Sequence, residues 1–135
     1  MLMWFAASAW PSYVELPRWV LHAAYGLAML GAVTCLAGVM AFKKAKTTVN
    51  PVTLNAASSM VTTGVYRLSR NPMYVGFALV LVAWSVCLAS LIAALFLPLF
   101  IAYLCRFQIQ PEERAMRAKF GLHYIEYAEQ VRRWL

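Results

Sequence analysis

The feature that most constrains this chain is a run of 34 residues, Pro72 to Cys105, without a single charged side chain. As one straight helix it would measure ~51 Å against a bilayer core of ~30 Å, too long for one crossing and close to the minimum for two. A tight helical hairpin over 72–105, turning near Cys87 to Ser90, fits that length. The charges support it independently. Lys43, Lys44, Lys46, Arg67 and Arg70 precede the run, and Arg106, Arg114, Arg117, Lys119, Arg132 and Arg133 follow it, leaving only Arg18 elsewhere. Basic flanks stay on the cytoplasmic side, so an even number of crossings must separate them. Pro98 is expected to kink the second arm.

A second uncharged stretch, Trp19 to Phe42, spans ~36 Å as a helix and predicts one slightly tilted crossing over 19–42. Within it Ala24, Ala28, Gly31, Cys35 and Gly38 step by three and four, a stripe of small side chains that lets a neighbouring helix approach closely. Residues 1–16 are apolar and aromatic but short, with Pro11 and Glu15 near their end. They predict either a short first span or an interfacial segment, and without a basic stretch ahead of them a cleaved signal peptide is not indicated.

With 63% hydrophobic and 13% charged residues in 135, the chain has too little polar surface for a soluble domain and too many apolar side chains for a disordered one. Its net charge of +7 sits beside the apolar runs, which points to retained cytoplasmic loops and not to a nucleic-acid partner. There is no Asp, and His22 and His123 lie far apart, so no metal site is expected. Cys35, Cys87 and Cys105 have no CxxC-type spacing and read as buried small hydrophobes. The fold class expected is all-α: a polytopic membrane helix bundle forming a single membrane domain over 1–135, with a helical hairpin and a cytoplasmic C-terminal amphipathic helix.

Residues 43–71 form a polar connection rich in Thr and Ser, long for a helix connection with no duty. In the tail, 106–135, Pro111 suits a first helical turn and Glu112 and Glu113 the positive end of a helix dipole, so a helix is expected to begin there. Glu113 has Arg117 one turn later as its expected partner. Met116, Phe120, Tyr124, Tyr127, Val131 and Trp134 form one apolar and aromatic stripe, which docking against the membrane surface or the spans would explain, and Gly121 is placed to break the helix in two. Serine-triad, zinc and phosphate-loop motifs are absent. What stands out is GVYRLSRNPMY over Gly64 to Tyr74 and PEER over Pro111 to Arg114, two clusters that a hairpin would bring to one membrane face.

These clusters carry a resemblance. TTGVYRLSRNPMYVG, an apolar hairpin, and PEERAMRAKFGLHYIEYAEQVRRW are similar to the isoprenylcysteine carboxyl methyltransferase family and its relatives, the membrane phospholipid methyltransferases. The shared outline is Gly64 and Tyr66, then Arg70-Asn71-Pro72-Met73-Tyr74, the Glu112-Glu113 pair, and Phe120-Gly121 with Tyr124 and Tyr127. Asn71 stands where the family usually has His, and Gln108 where eukaryotic members have Arg, with Arg106 the nearest basic alternative. The resemblance implies an integral, multi-pass membrane enzyme that uses S-adenosylmethionine, with the loop and C-terminus cytoplasmic. Its substrate would be a lipophilic small molecule taken from the bilayer, a carboxylate, thiol or amine, with membrane lipids as surroundings. Cofactor contacts would fall on Ser58, Ser59, Met60, Val61, Tyr66, Asn71, Pro72, Met73, Tyr74 and Glu112, and catalytic roles on Arg70, Glu113 and Arg106. The donor's amino-acid end is expected near Arg70 and Asn71 and its adenosine toward Glu112. Two other readings remain open on the residues alone: a nicotinamide-dependent membrane lipid reductase, and a small multispan transporter.

Overall fold

The computed structural model describes residues 1–9, 15–45 and 60–135. Ser58, Ser59 and much of the 43–71 connection lie outside the described residues. All regular elements among those described are helical. Helix α1, Leu2–Ala9, rises only ~12 Å and packs on α4. Helix α2, Arg18–Lys44, carries Lys43 and Lys44 in its last turn, where the helix dipole favours cations. A 3-10 turn, Gly64–Arg67, leads to α3, Pro72–Cys87, with Pro72 in the first turn, where its missing N–H costs nothing.

The chain then reverses within three residues. Ala89 adopts φ 47°, and the Ser90 hydroxyl caps α4, Leu91–Tyr103, by accepting from the Ala93 amide at 3.3 Å. The turn falls where the uncharged run predicts it. The second arm differs from expectation, because the helix does not restart at Pro111. It continues from α4 through a π-helical segment, Leu104–Ile109, directly into α5, Gln110–Phe120. In a straight α-helix the Pro111 ring would strike the Phe107 carbonyl and leave it unpaired; widened π turns just ahead are a form that carries a helix past such a position. Gly121, at φ 56° and ψ −127°, separates α5 from α6, Leu122–Gln130, as expected.

Two helices, Arg18–Lys44 and the continuous Leu91–Phe120, are long and apolar enough to cross a membrane, and Pro72–Cys87 is a shorter apolar helix between them. The small-residue stripe of α2 is the face that packs on α3. Ala24, Gly31 and Gly38 are buried, and a Cβ on Gly31 would sit 2.6 Å from the Gly76 carbonyl oxygen. The Cys35 thiol donates to the Met73 carbonyl at 3.4 Å. Other faces stay bare: Met29, Leu36 and Met40 on α2, Trp84 on α3, and Leu95 and Leu99 on α4 are all exposed. Apolar side chains of that size pointing outward suit a lipid solvent.

Candidate functional site

The α2–α3 packing and the α3–α4 reversal bring five pieces of chain to one end of the bundle: the segment after Met60, the start of α3, the first turn of α5, α6 and the last residues. Tyr66, on the 3-10 turn, is buried with its ring edge-on to Phe42 at 5.4 Å between centroids. Its carbonyl accepts the Tyr127 hydroxyl at 2.7 Å, which ties α6 to the turn. Of the predicted apolar stripe, Tyr124 and Val131 are buried, and Met116, Phe120, Tyr127 and Trp134 are half-buried.

From α3, the Tyr74 hydroxyl donates to Oε1 of Glu112 at 2.7 Å, and the Gln108 amide donates to the same oxygen. Oε2 of Glu112 receives no hydrogen bond from a described residue. The neighbouring Glu113 points the other way and is buried. It meets Arg70 Nη1 at 3.2 Å and is gripped by Arg133, whose Nε lies 3.0 Å from Oε1 and Nη2 2.6 Å from Oε2. Arg117, the partner expected from helical spacing, is exposed and does not take part, because Glu113 faces inward toward the loop and the chain end.

The backbone of that chain end is bound as well. Arg70 N–H donates to the Arg132 carbonyl at 2.9 Å, and the Asn71 side-chain amide donates to the Arg133 carbonyl at 2.9 Å. Ser69 Oγ accepts the Asn71 N–H at 3.1 Å and donates to the Arg133 carbonyl at 3.4 Å. Arg70 Nε is buried without a partner among the described residues.

Burial raises the Tyr66 hydroxyl well above the ordinary tyrosine range, with Tyr127 and Glu112 adding to the effect. It pushes Tyr127 up to about 12, with Tyr124 contributing. Tyr124 is raised by burial first and by Glu113 second, and the hydrogen bonds to Glu113 raise Arg133. The phenols therefore remain protonated donors at neutral pH, and charge at this end is concentrated on carboxylates and guanidiniums.

Of the residues expected to contact a donor, Met60 is half-buried and Val61, Tyr66 and Pro72 are buried. Met73 packs on Gly38, and Tyr74 and Glu112 are joined directly. Asn71 and Arg70 are present, but the Asn71 amide and one Arg70 nitrogen already serve the chain end and Glu113. Arg106 is exposed and donates to Gln110 at 3.3 Å. Beside these residues a cleft of about 380 Å³ opens among Thr62, Thr63, Arg67, Tyr127, Gln130 and Val131, none of which was expected to contact the donor. Arg133 is the site residue that sequence reasoning missed. It reads as one more basic flank residue, and nothing local signals that it closes on a glutamate 20 positions earlier.

Together, membrane-length helices and a polar cluster at one end of the bundle are the features of a small helical membrane protein. Residues 19–123 match the phospholipid methyltransferase family, and the chain belongs to it. It is similar to protein-S-isoprenylcysteine O-methyltransferase A of Arabidopsis thaliana, 28% identical over 113 residues, covering 84% of this chain and 57% of that protein. The corresponding B protein of the same plant is 35% identical over 72 residues, covering 53% of this chain and 36% of the relative. An uncharacterized Haemophilus influenzae protein is 41% identical over 63 residues, which are 47% of this chain and the whole of that protein. The chain thus spans little more than half of one plant relative and about a third of the other. No solved structure matches it.

Proposed function

We propose that this protein is an integral membrane methyltransferase that takes its methyl group from S-adenosylmethionine and passes it to a lipophilic acceptor drawn from the bilayer. The observation that carries the reading is the Tyr74–Glu112 hydrogen bond, which joins the two halves of the sequence pattern across 38 residues. The residues fit the donor. Glu112 offers a half-buried carboxylate oxygen without a described partner, suited to hydroxyl or ammonium donors, and Arg70 Nε offers a buried N–H suited to a carboxylate.

When bound, S-adenosylmethionine supplies a methyl group already activated by its sulfonium charge. The protein's share is to hold, orient and exclude water. Glu112, oriented by Tyr74 and Gln108, would take the donor's polar groups, with Tyr66, Asn71, Pro72 and Met73 as walls and Met60 and Val61 closing the loop side. Arg70 and Glu113 would serve chiefly by fixing this arrangement. Arg106, exposed at the same end, would meet the polar head of the acceptor.

The names of the relatives frame the acceptor: a prenylated cysteine carboxylate on the plant side, a phospholipid headgroup on the family side. An anionic acceptor needs no base, because the new bond cancels the charge of acceptor and sulfonium. An amine must lose a proton, and Glu112 is the carboxylate placed to receive it. The topology proposed is multi-pass, with α2, α3 and the α4 helix crossing, and with residues 43–71 and 106–135 cytoplasmic.

Incubating purified protein with deuteromethyl S-adenosylmethionine and membrane lipid extracts, then comparing extracts by mass spectrometry, tests the reading. A labelled lipid identifies the acceptor. No labelled product together with no thermal stabilisation by saturating S-adenosylhomocysteine would overturn it.

A further inference from the structure

We infer that the end of the chain, Val131 to Arg133, is a strap that sets the donor site, with Arg133 as its positioning residue. The inference rests on the donor reading above and concerns what holds that site in shape. Four contacts carry it. The Arg133 guanidinium grips both oxygens of Glu113, at 3.0 and 2.6 Å. The Arg133 carbonyl takes the Asn71 amide at 2.9 Å and the Ser69 hydroxyl at 3.4 Å. The Arg132 carbonyl takes the Arg70 N–H at 2.9 Å.

One short segment therefore bonds to both walls of the site: to the residues that open α3 and to the first turn of α5. A planar guanidinium bound through two nitrogens fixes the orientation of its carboxylate as well as its distance. Holding Glu113 in this way fixes the rotation of α5 about its own axis. Glu112 lies about 100° further round that helix, so the same grip determines whether its carboxylate faces Tyr74. Val131 anchors the strap by burial, while Arg133 is partly exposed and remains the part a single substitution can release. Nothing in the strap needs to touch donor or acceptor.

Binding of S-adenosylhomocysteine to the detergent-purified full chain, measured by titration calorimetry, tests this through affinity and stoichiometry together. Arg133→Ala is expected to raise Kd about tenfold while the folded protein still binds one ligand per chain. Arg133→Lys keeps the charge but loses the two-pronged grip, and is expected to raise Kd by a smaller but clear factor. Arg114→Ala, which removes an exposed basic residue from α5, the helix that carries Glu113, serves as the control and should leave Kd unchanged. A purely structural role would lower the bound fraction or the melting temperature at unaltered Kd. That result in Arg133→Ala, or a wild-type Kd in Arg133→Lys should the alanine variant not fold, overturns the inference. If the wild-type protein itself binds no S-adenosylhomocysteine, the donor reading is what has failed.

Discussion

Two adjacent carboxylates about 100° apart on one helix cannot share an environment, and here the difference separates a group offered to the donor from one that holds the site in shape. Glu113 is buried between two guanidiniums, whereas Glu112 is half-buried with one oxygen taken by neutral donors. Replacing Glu113 by Gln leaves Arg70 and Arg133 facing each other without their counter-charge. Breaking a buried pair typically costs 3–5 kcal/mol; because Arg133 is partly exposed to screening, about 2–4 kcal/mol is expected, read as a fall in melting temperature of the ligand-free protein. Glu112→Gln should leave that temperature nearly unchanged and weaken S-adenosylhomocysteine binding. With an anionic acceptor its rate recovers at saturating donor, whereas with an amine deprotonated by Glu112 it stays low. A Glu112→Gln protein that is less stable than Glu113→Gln, with wild-type affinity for the ligand, would reverse the two roles.

At the scale of elements, close approach of α2 and α3 depends on missing side chains. A Cβ on Gly76 would collide with the Cys35 thiol and lie 2.6 Å from the Gly31 carbonyl oxygen, whereas a Cβ on Gly26 meets nothing within 4 Å. Gly76→Ala is therefore expected to destabilise by about 1–3 kcal/mol through overpacking. Gly26→Ala should be neutral or stabilise by up to about 1 kcal/mol, since it only removes backbone freedom from a helix. Melting of the two variants side by side checks the contrast. This contact was legible in the sequence because small residues at three- and four-residue steps have few other uses. The hairpin turn was legible too, from length and charge. The continuous helix through Pro111 was not. Proline followed by two glutamates looks locally like a helix start, and only the turns already wound upstream override it. The Tyr74–Glu112 half of the site could be anticipated from motif order. The Arg133–Glu113 half could not, because charge alone does not say which of many basic residues folds back.

For the molecule as a whole, the decisive question is whether the polar end forms one face of the membrane. Thr63 and Gln130 are exposed at that end, and Leu88 lies at the opposite tip of the hairpin. Helix α3 rises only ~24 Å over 16 residues, so a crossing there requires local thinning of the bilayer or polar groups at both ends. Its flanks supply them: Asn71 and Tyr74 at one end, Ser85 and the Ser90 turn at the other. Single-cysteine variants Thr63→Cys, Gln130→Cys and Leu88→Cys, made in a protein with Cys35, Cys87 and Cys105 replaced by Ser, separate the possibilities in sealed vesicles of known orientation. An impermeant thiol reagent is expected to label Thr63→Cys and Gln130→Cys from the cytoplasmic side and Leu88→Cys only from the other. Labelling of all three from one side would mean that the hairpin lies in the interface without crossing. Labelling of Thr63→Cys and Gln130→Cys from opposite sides would separate the loop from α6 and dissolve the composite site. The expected pattern with both sides exchanged would keep the hairpin while placing all eleven flanking basic residues against the positive-inside tendency, an outcome the Lys43 to Arg70 and Arg106 to Arg133 clusters argue against.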